Sequence, residues 1–283
     1  MDILLTLLII IILMIDFLSS RQKSRSNYIP LNIWQTYKTD QLPEQAKECQ
    51  KSWKTQSNYH YHFMDDTQIE TFMKKHFTNK VYQTFKKLPL GVMKADMWRY
   101  CVLYVHGGIY TDIDSVAIQP LKDWKIRKSD RIIFGLENDV HFCQWTILSE
   151  PKHPILAKVI ELIVDEAEKG MDTSTEHFVH KHTGPGIWTR AVQLTLGFKE
   201  DARAIDTYKE YIKQTDKNNT FQQLGVRIEN EKYFSGEKVR NLYGSTQFGD
   251  GYVSWMEERN KFLTENSIIN KQINVSSVTQ TKQ

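Results

Sequence analysis

The sequence predicts an α/β fold, a mostly parallel sheet flanked by helices, and three observations carry this. Strand-like and helix-like stretches alternate from residue 31 onward. A long apolar helix over 91–106 stops at Gly107-Gly108 and feeds directly into another strand. Apolar material is ample, 40% of the 283 residues being hydrophobic and 12% aromatic, enough for one large domain with a sizeable core. The chain divides into an apolar segment (1–20), a short stem (21–29), a folded body (30–262) and a polar tail (263–283) expected to be disordered for want of apolar side chains.

Charge and cysteine usage remove several classes. Lys plus Arg number 37 against 34 Asp plus Glu, a net +3, far below the basic excess of a domain that binds by neutralising phosphates, so no nucleic-acid partner is expected. The three cysteines, Cys49, Cys101 and Cys143, lie too far apart for a metal motif and allow at most one intrachain disulfide.

The elements follow in order. Residues 3–18 are apolar except for Thr6 and Asp16. As a helix they would extend about 24 Å at about 1.5 Å per residue, short for a bilayer span. A signal-anchor or transmembrane helix is favoured over a cleaved signal, because Phe17-Leu18-Ser19-Ser20 does not offer small residues at both positions a signal peptidase reads. A single-pass membrane protein follows. Arg21, Lys23 and Arg25 after the segment argue for a cytosolic body, whereas the sequons at Asn218 and Asn274 suit a lumenal one, so the charges leave orientation open.

Past the stem, residues 31–36 read as a buried strand, 43–54 as a helix with Pro43 in its first turn, and 59–64 as a second strand. Asp65-Asp66 then caps a helix beginning near Thr67. In 91–106, Val92, Ala95, Trp98, Val102 and Val105 recur at helical spacing. Asp96 and Arg99, at i and i+3, share a face of this largely buried helix, so they either neutralise each other or face a polar cleft. The strand beginning at Ile109 is expected to run through Asp112-Ile113-Asp114. Alternation along a strand would place both carboxylates on one side, about 6.5 to 7 Å apart. Their mutual repulsion is relieved by a divalent cation, and oxygen ligands suit Mg²⁺ or Mn²⁺ shared with substrate phosphates. In open α/β sheets, ligands bind beyond the carboxyl ends of the strands, where this pair would lie.

ADMWRYCVLYVHGGIYTDIDSVAIQPL closely resembles the core of glycosyltransferase family 32, the Asp-x-Asp sugar-nucleotide transferases. Ile29-Pro30-Leu31-Asn32-Ile33-Trp34-Gln35-Thr36 resembles the family's opening motif, with Trp34 where His is common. Residues 59–66, Phe134-Gly135-Leu136-Glu137-Asn138 and Thr183-Gly184-Pro185-Gly186 match further family segments, and the likeness spans roughly residues 30–255. The resemblance implies a GT-A fold, a nucleotide-diphosphate sugar donor with GDP-mannose favoured, Mn²⁺ or Mg²⁺, a glycan or glycolipid acceptor, and retention of anomeric configuration. With the apolar segment as anchor, a body facing the lumen of the Golgi or another endomembrane is favoured, its orientation left open by the flanking charges. Carried over by position, Asp112 and Asp114 would hold the metal, and Asp112 would also lie near the ribose. Asp96 and Arg99 would bind donor-sugar hydroxyls, Tyr110 would line the same pocket, and Ile33, Trp34 and Gln35 would border the nucleotide.

Where the family carries a His before a closing Gly-Ser-Trp, this chain has Asp250 five residues before Trp255. Asp250 is therefore a candidate third metal ligand, weighed against a glycine-rich turn in which it serves only the local backbone. Glu137 and Asn138 follow a strand expected over 131–136 and stand as possible substrate contacts or as loop solvation. His177, His180 and His182 lack a fourth ligand for zinc and are read instead as a loop beside the acceptor. Residues 152–169 read as an amphipathic surface helix. Two other classes share the scaffold: a membrane-tethered carbohydrate-binding protein and a nucleotide-sugar hydrolase.

Overall fold

The computed structural model describes residues 28–214, 219–242 and 255–280, the last segment with side chains through Ile268. In chain order the elements are β1 (Asn32–Thr36), α1 (Glu44–Lys54), β2 (His60–Met64), α2 (Asp66–His76), α3 (Asn79–Lys87), α4 (Gly91–His106), β3 (Gly108–Thr111) and β4 (Ser115–Ala117). Then come β5 (Ile132–Gly135), β6 (Thr146–Ser149), α5 (Pro154–Lys169), α6 (Phe178–His182), α7 (Pro185–Leu196), α8 (Ala204–Lys213), α9 (Thr220–Gln223), β7 (Val226–Glu229), β8 (Val239–Asn241) and α10 (Trp255–Gln280).

Six strands form one sheet in the order β2-β1-β3-β6-β5-β7, and β4 pairs with β8 in a small antiparallel sheet. β1 runs parallel to β2 and β3, and β5 parallel to β7, whereas β6 is antiparallel to both of its neighbours. The sheet is mostly parallel, as expected, with β6 the exception. The path explains where a ligand belongs. From β1 the chain crosses through α1 to β2 on one side, then through α2, α3 and α4 to β3 on the other. This reversal opens a crevice beyond the carboxyl ends of β1 and β3.

Local chemistry fixes the boundaries. Asp65 accepts the Gln68 amide at 2.9 Å while the Gln68 side chain accepts the Asp65 amide at 3.0 Å, a capping box that starts α2. α4 ends at Gly107, whose φ of 63° and the φ of 104° at Gly108 favour glycine. A Cβ on Gly107 would lie 2.7 Å from Pro151, and one on Gly108 2.5 Å from the Asn32 carbonyl, so the chain passes Pro151 only with glycine at 107 and β3 lies close to β1 only with glycine at 108. Over its middle turns α4 is buried on all sides, from Asp96 through Leu103, instead of along the single expected stripe; Val92, Ala95 and Val105 are only partly covered. α5 is amphipathic as expected, but its apolar face is a core wall: Ile155, Leu156, Val159, Ile160, Leu162, Ile163 and Val164 are buried against α4 and α7.

Two expectations concern the chain's ends. The apolar segment 3–18 lies outside the described residues; among those described, no helix is long and apolar enough to cross a membrane. The boundary expected at 262/263 falls inside α10. Trp255, Phe262 and Leu263 recur at helical spacing and pack on the core, with Phe262 5.6 Å from Phe178, so helix continues past it. The three cysteines are free and buried.

Candidate active site

β3 ends at Thr111, and the two carboxylates sit on the turn that follows, not within the strand as the alternation argument expects. The cause is local. The Ser115 amide donates to the Asp112 carbonyl at 3.1 Å, and the Ser115 hydroxyl donates to the same oxygen at 2.6 Å, which closes a tight turn. Gln35 Nε2 adds a third bond to that carbonyl at 3.0 Å, and the Asp112 amide donates to the Trp145 carbonyl at 2.9 Å. The turn is thus pinned from β1 and from the segment before β6. β4 then leaves the main sheet. Asp112 and Asp114, both partly exposed, line a cavity of about 530 Å³, within the usual size of small-ligand pockets. Thr36, Tyr37 and Lys38 at the end of β1 line it too, so the cavity occupies the crevice at the strand-order reversal.

One buried charge cluster connects α4 to this turn. Arg99 Nη2 lies 2.9 Å from Asp96 Oδ1 and 3.2 Å from Asp112 Oδ1, and the Tyr110 hydroxyl donates to Asp112 Oδ1 at 2.6 Å. The Arg99 guanidinium stacks over the Tyr110 ring, 4.7 Å from its centroid. Asp96 also accepts Gln144 Nε2 at 3.2 Å and the Thr183 hydroxyl at 2.9 Å. Tyr100 ties these two together, donating to Gln144 Oε1 at 2.5 Å and to the Thr183 carbonyl at 3.1 Å. Burial pushes the Asp96 carboxyl up to about 6, opposed by Arg99, Thr183 and Gln144. The Tyr110 hydroxyl is held well above its ordinary value, chiefly by burial. Arg99 Nε and Nη1 are buried and have no hydrogen-bond partner among the described residues.

Glu137 completes the polar wall. It follows β5 in a hairpin closed by its own amide donating to the His141 carbonyl at 3.0 Å. Its Oε2 is buried with no hydrogen-bond partner among the described residues. Burial, and then the negative charge of Asp112, push its carboxyl up to about 7. Asn138 does something different: its Oδ1 accepts the amides of Val140 and His141, both at 2.8 Å, and holds the hairpin loop.

The remaining expected residues divide clearly. Ile33, Trp34 and Gln35 are buried in β1, an interior strand of the sheet, and do not border the cavity. Ile33 is core. Trp34 stacks on His62 at 4.2 Å and donates from Nε1 to the Gly107 carbonyl at 2.9 Å, and Gln35 holds the Asp112 turn while accepting the Tyr61 hydroxyl at 2.9 Å. A strand with parallel neighbours on both sides and helices over its faces has no free face, so the β1 contribution passes to Thr36–Lys38. His182 is structural, between Glu166 at 3.1 Å and the Asp172 carbonyl at 3.2 Å. His177 and His180 line the cavity with Trp255 and Arg259. Asp250 lies outside the described residues. Gln144 and Thr183, which clamp Asp96, carried no usable sequence signal beyond the position of Thr183 at the Gly-Pro turn. That turn needs its glycine, because a Cβ on Gly186 would lie 2.8 Å from the His180 carbonyl.

The donor chemistry fits a hard divalent cation. Asp96, Asp112, Asp114 and Glu137 bring four acidic groups to one side of the cavity beside Arg99, and the Asp112 charge adds to burial in raising the Glu137 carboxyl. Asp112 Oδ1 is committed to Arg99 and Tyr110. Among the described residues no three His, Cys, Asp or Glu side chains form a closed metal cage. One or two carboxylates with the balance of ligands from a substrate diphosphate is the pattern Mg²⁺-type sites commonly use.

Comparison with known proteins agrees with this geometry. Residues 43–130 match the family described as "glycosyltransferase sugar-binding region containing DXD motif". The chain is similar to the initiation-specific alpha-1,6-mannosyltransferase of Schizosaccharomyces pombe, 35% identical over 60% of this chain and 50% of that protein. It is also similar to the enzyme of the same name from Saccharomyces cerevisiae, 24% identical over 87% of this chain and 58% of that one. A mannosyl phosphorylinositol ceramide synthase of Saccharomyces cerevisiae is 34% identical over 51% of this chain and 38% of its own length. The chain is thus similar, through residues 43–130 and over about half the length of these relatives, to DXD glycosyltransferases. It spans about half the length of the curated relatives it matches. Among solved structures, the PaToxG glycosyltransferase aligns with a TM-score of 0.51 at 19% identity, over 70% of this chain and 79% of that one, and supports the same fold, GT-A in class.

Proposed function

We propose that this protein is a metal-dependent, retaining glycosyltransferase that moves a hexose, mannose from GDP-mannose in the favoured case, to a glycan or glycolipid acceptor. The observation that carries the reading is Arg99: a buried guanidinium bridging Asp96 and Asp112 with two donors left over, at the edge of a cavity at the sheet's switch point. A guanidinium whose bonds all close within the protein is a structural brace; one with donors to spare is built to meet a ligand.

Each residue then has a task. Asp112 and Asp114 would hold Mn²⁺ or Mg²⁺ and, with it, the donor diphosphate. The cation supplies electrostatic stabilisation of the negative charge that grows on the departing nucleotide diphosphate. Tyr110 fixes Asp112 by its 2.6 Å bond, and the Gln35 and Ser115 bonds to the Asp112 carbonyl fix the backbone beneath it. Arg99 Nε and Nη1 present hydrogen-bond donors to hydroxyls of the donor sugar, where bonds that tighten as the ring gains oxocarbenium character lower the barrier. Asp96, clamped by Gln144 and Thr183, holds Arg99 at the angle this requires. Glu137 Oε2 offers a buried acceptor for a sugar or acceptor hydroxyl. The apolar segment 3–18 would tether the domain to an endomembrane, with the Golgi lumen favoured.

The test is a screen of nucleotide sugars with Mn²⁺ or Mg²⁺, following nucleotide diphosphate release with and without glycan or inositol-phospholipid acceptors. GDP-mannose as the best donor, with turnover raised by an acceptor, is the expected result. Preference for a UDP-hexose would reassign the donor, release indifferent to every acceptor would favour a hydrolase, and no turnover of any nucleotide sugar would favour a carbohydrate-binding protein.

A further inference from the structure

A second cavity, of about 650 Å³, lies against the first, and the two share His177 and His180 as a common wall. The remaining lining comes from His141, Glu166, Lys181, Gly186, Ile187, Arg190 and Glu200. Ile187 is the one apolar side chain among them, so an acyl chain would leave these charged groups desolvated and badly paired. The chemistry suits a ligand made of hydroxyls. Arg190 is held by Glu166 on one side and Glu200 on the other, each at 2.9 Å, which sets a guanidinium and two carboxylates side by side. Such a row donates to and accepts from vicinal hydroxyls. The His177 and His180 rings stack nearly parallel at 6.2 Å, and His141 lies 6.4 Å from His180, so three imidazoles cluster where the two cavities adjoin. Burial lowers the pKa of both His141 and His180, which favours neutral rings able to donate and accept at once.

We propose that this second cavity is an acceptor subsite for the sugar units of an oligosaccharide beyond the one that receives the transferred hexose. The inference rests on the glycosyltransferase reading and extends it. The acceptor is a glycan of several sugars, running from the transfer cavity across His180 to Arg190 and Glu200, and not a lone lipid headgroup.

Direct binding tests this without requiring turnover. Calorimetric titration of the full chain should give at least about tenfold tighter binding for a manno-tetrasaccharide than for methyl mannoside, a difference of about 1.4 kcal/mol. Glu200→Gln, at an exposed carboxylate whose loss spares the core, and His141→Gln should each erase most of that gain. Both variants should leave methyl mannoside affinity and Mn²⁺-dependent nucleotide diphosphate binding unchanged. Equal affinity for the two sugars, equal losses for both in the variants, or tighter binding of inositol phosphate than of the tetrasaccharide would each overturn the subsite. The glycosyltransferase reading fails by a different sign: oligosaccharide bound with the expected length dependence, but no nucleotide sugar bound or turned over.

Discussion

Two buried arginines in this molecule have nearly the same surroundings and different consequences. Arg227 on β7 lies between Asp130 and Glu229, under the Tyr233 ring at 5.7 Å, much as Arg99 lies between Asp96 and Asp112 over Tyr110 at 4.7 Å. Arg227, however, closes its fork within the protein. Its Nε and Nη2 meet Glu229, and its Nη1 reaches both Asp130 and the Lys125 carbonyl at 3.2 Å. Arg99 uses Nη2 alone, leaving Nε and Nη1 without a partner among the described residues. Burial and pairing are therefore common to both clusters. The count of unspent donors is what differs, and a buried donor with no partner costs about 1–3 kcal/mol unless a ligand satisfies it.

The largest effect expected from breaking this contrast is at Arg99. Lysine keeps the charge but not the fork, so Arg99→Lys should lower donor turnover by about 10²-fold or more while the protein still unfolds cooperatively. Steady-state nucleotide release and a thermal melt check both halves. The matched change at Arg227 should reverse the pattern. Arg227→Lys loses bonds that only hold structure, so it should cost about 1–3 kcal/mol of stability in a denaturant titration, with kcat nearly unchanged. Equal kinetic damage from the two substitutions would remove the distinction.

A smaller effect belongs to the bracing side of the molecule. His153 is buried, accepts the Ile155 amide at 3.2 Å through Nδ1 and meets the Leu224 carbonyl at 2.9 Å. Burial lowers it from 6.5 to about 4. A depressed histidine contributes stability that is present above the unfolded value and lost as pH falls toward the folded one. The fold should weaken between pH 6.5 and about 4, by up to about 3 kcal/mol. Melting temperatures across that window should fall less steeply in His153→Asn, which keeps a cap acceptor but does not titrate.

Much of the frame was legible because punctuation marks it. Gly107-Gly108 ends α4 where expected, Asp65 with Gln68 starts α2, and the alternation of 59–64 gives β2. The charged pair in α4 and the Asp-x-Asp segment were legible as residues but not as geometry. Strand alternation puts Asp112 and Asp114 in β3, whereas the Ser115 hydroxyl and the Gln35 amide, one of them 77 residues away in sequence, make the segment a turn. Nor does a local pattern show that β1 is covered on both faces, so Ile33, Trp34 and Gln35 read as ligand contacts, whereas Ile33 is core, Trp34 bonds the Gly107 carbonyl and Gln35 supports the Asp112 turn. Glu137 and Thr183 stand out in the sequence as residues, but their places, and Gln144 altogether, come from long-range packing around Asp96 and Asp112.

Everything proposed for the site rests on whether the turn after β3 binds a cation shared with the donor. The most direct measurement compares the wild type with Asp114→Asn, titrating Mn²⁺ and following nucleotide diphosphate release from GDP-mannose. Wild-type turnover should need the cation, and the variant should lose about 10²-fold or more with normal folding and a raised Mn²⁺ requirement. A folded Asp114→Asn protein with wild-type turnover and an unchanged Mn²⁺ requirement would contradict cation binding at that turn.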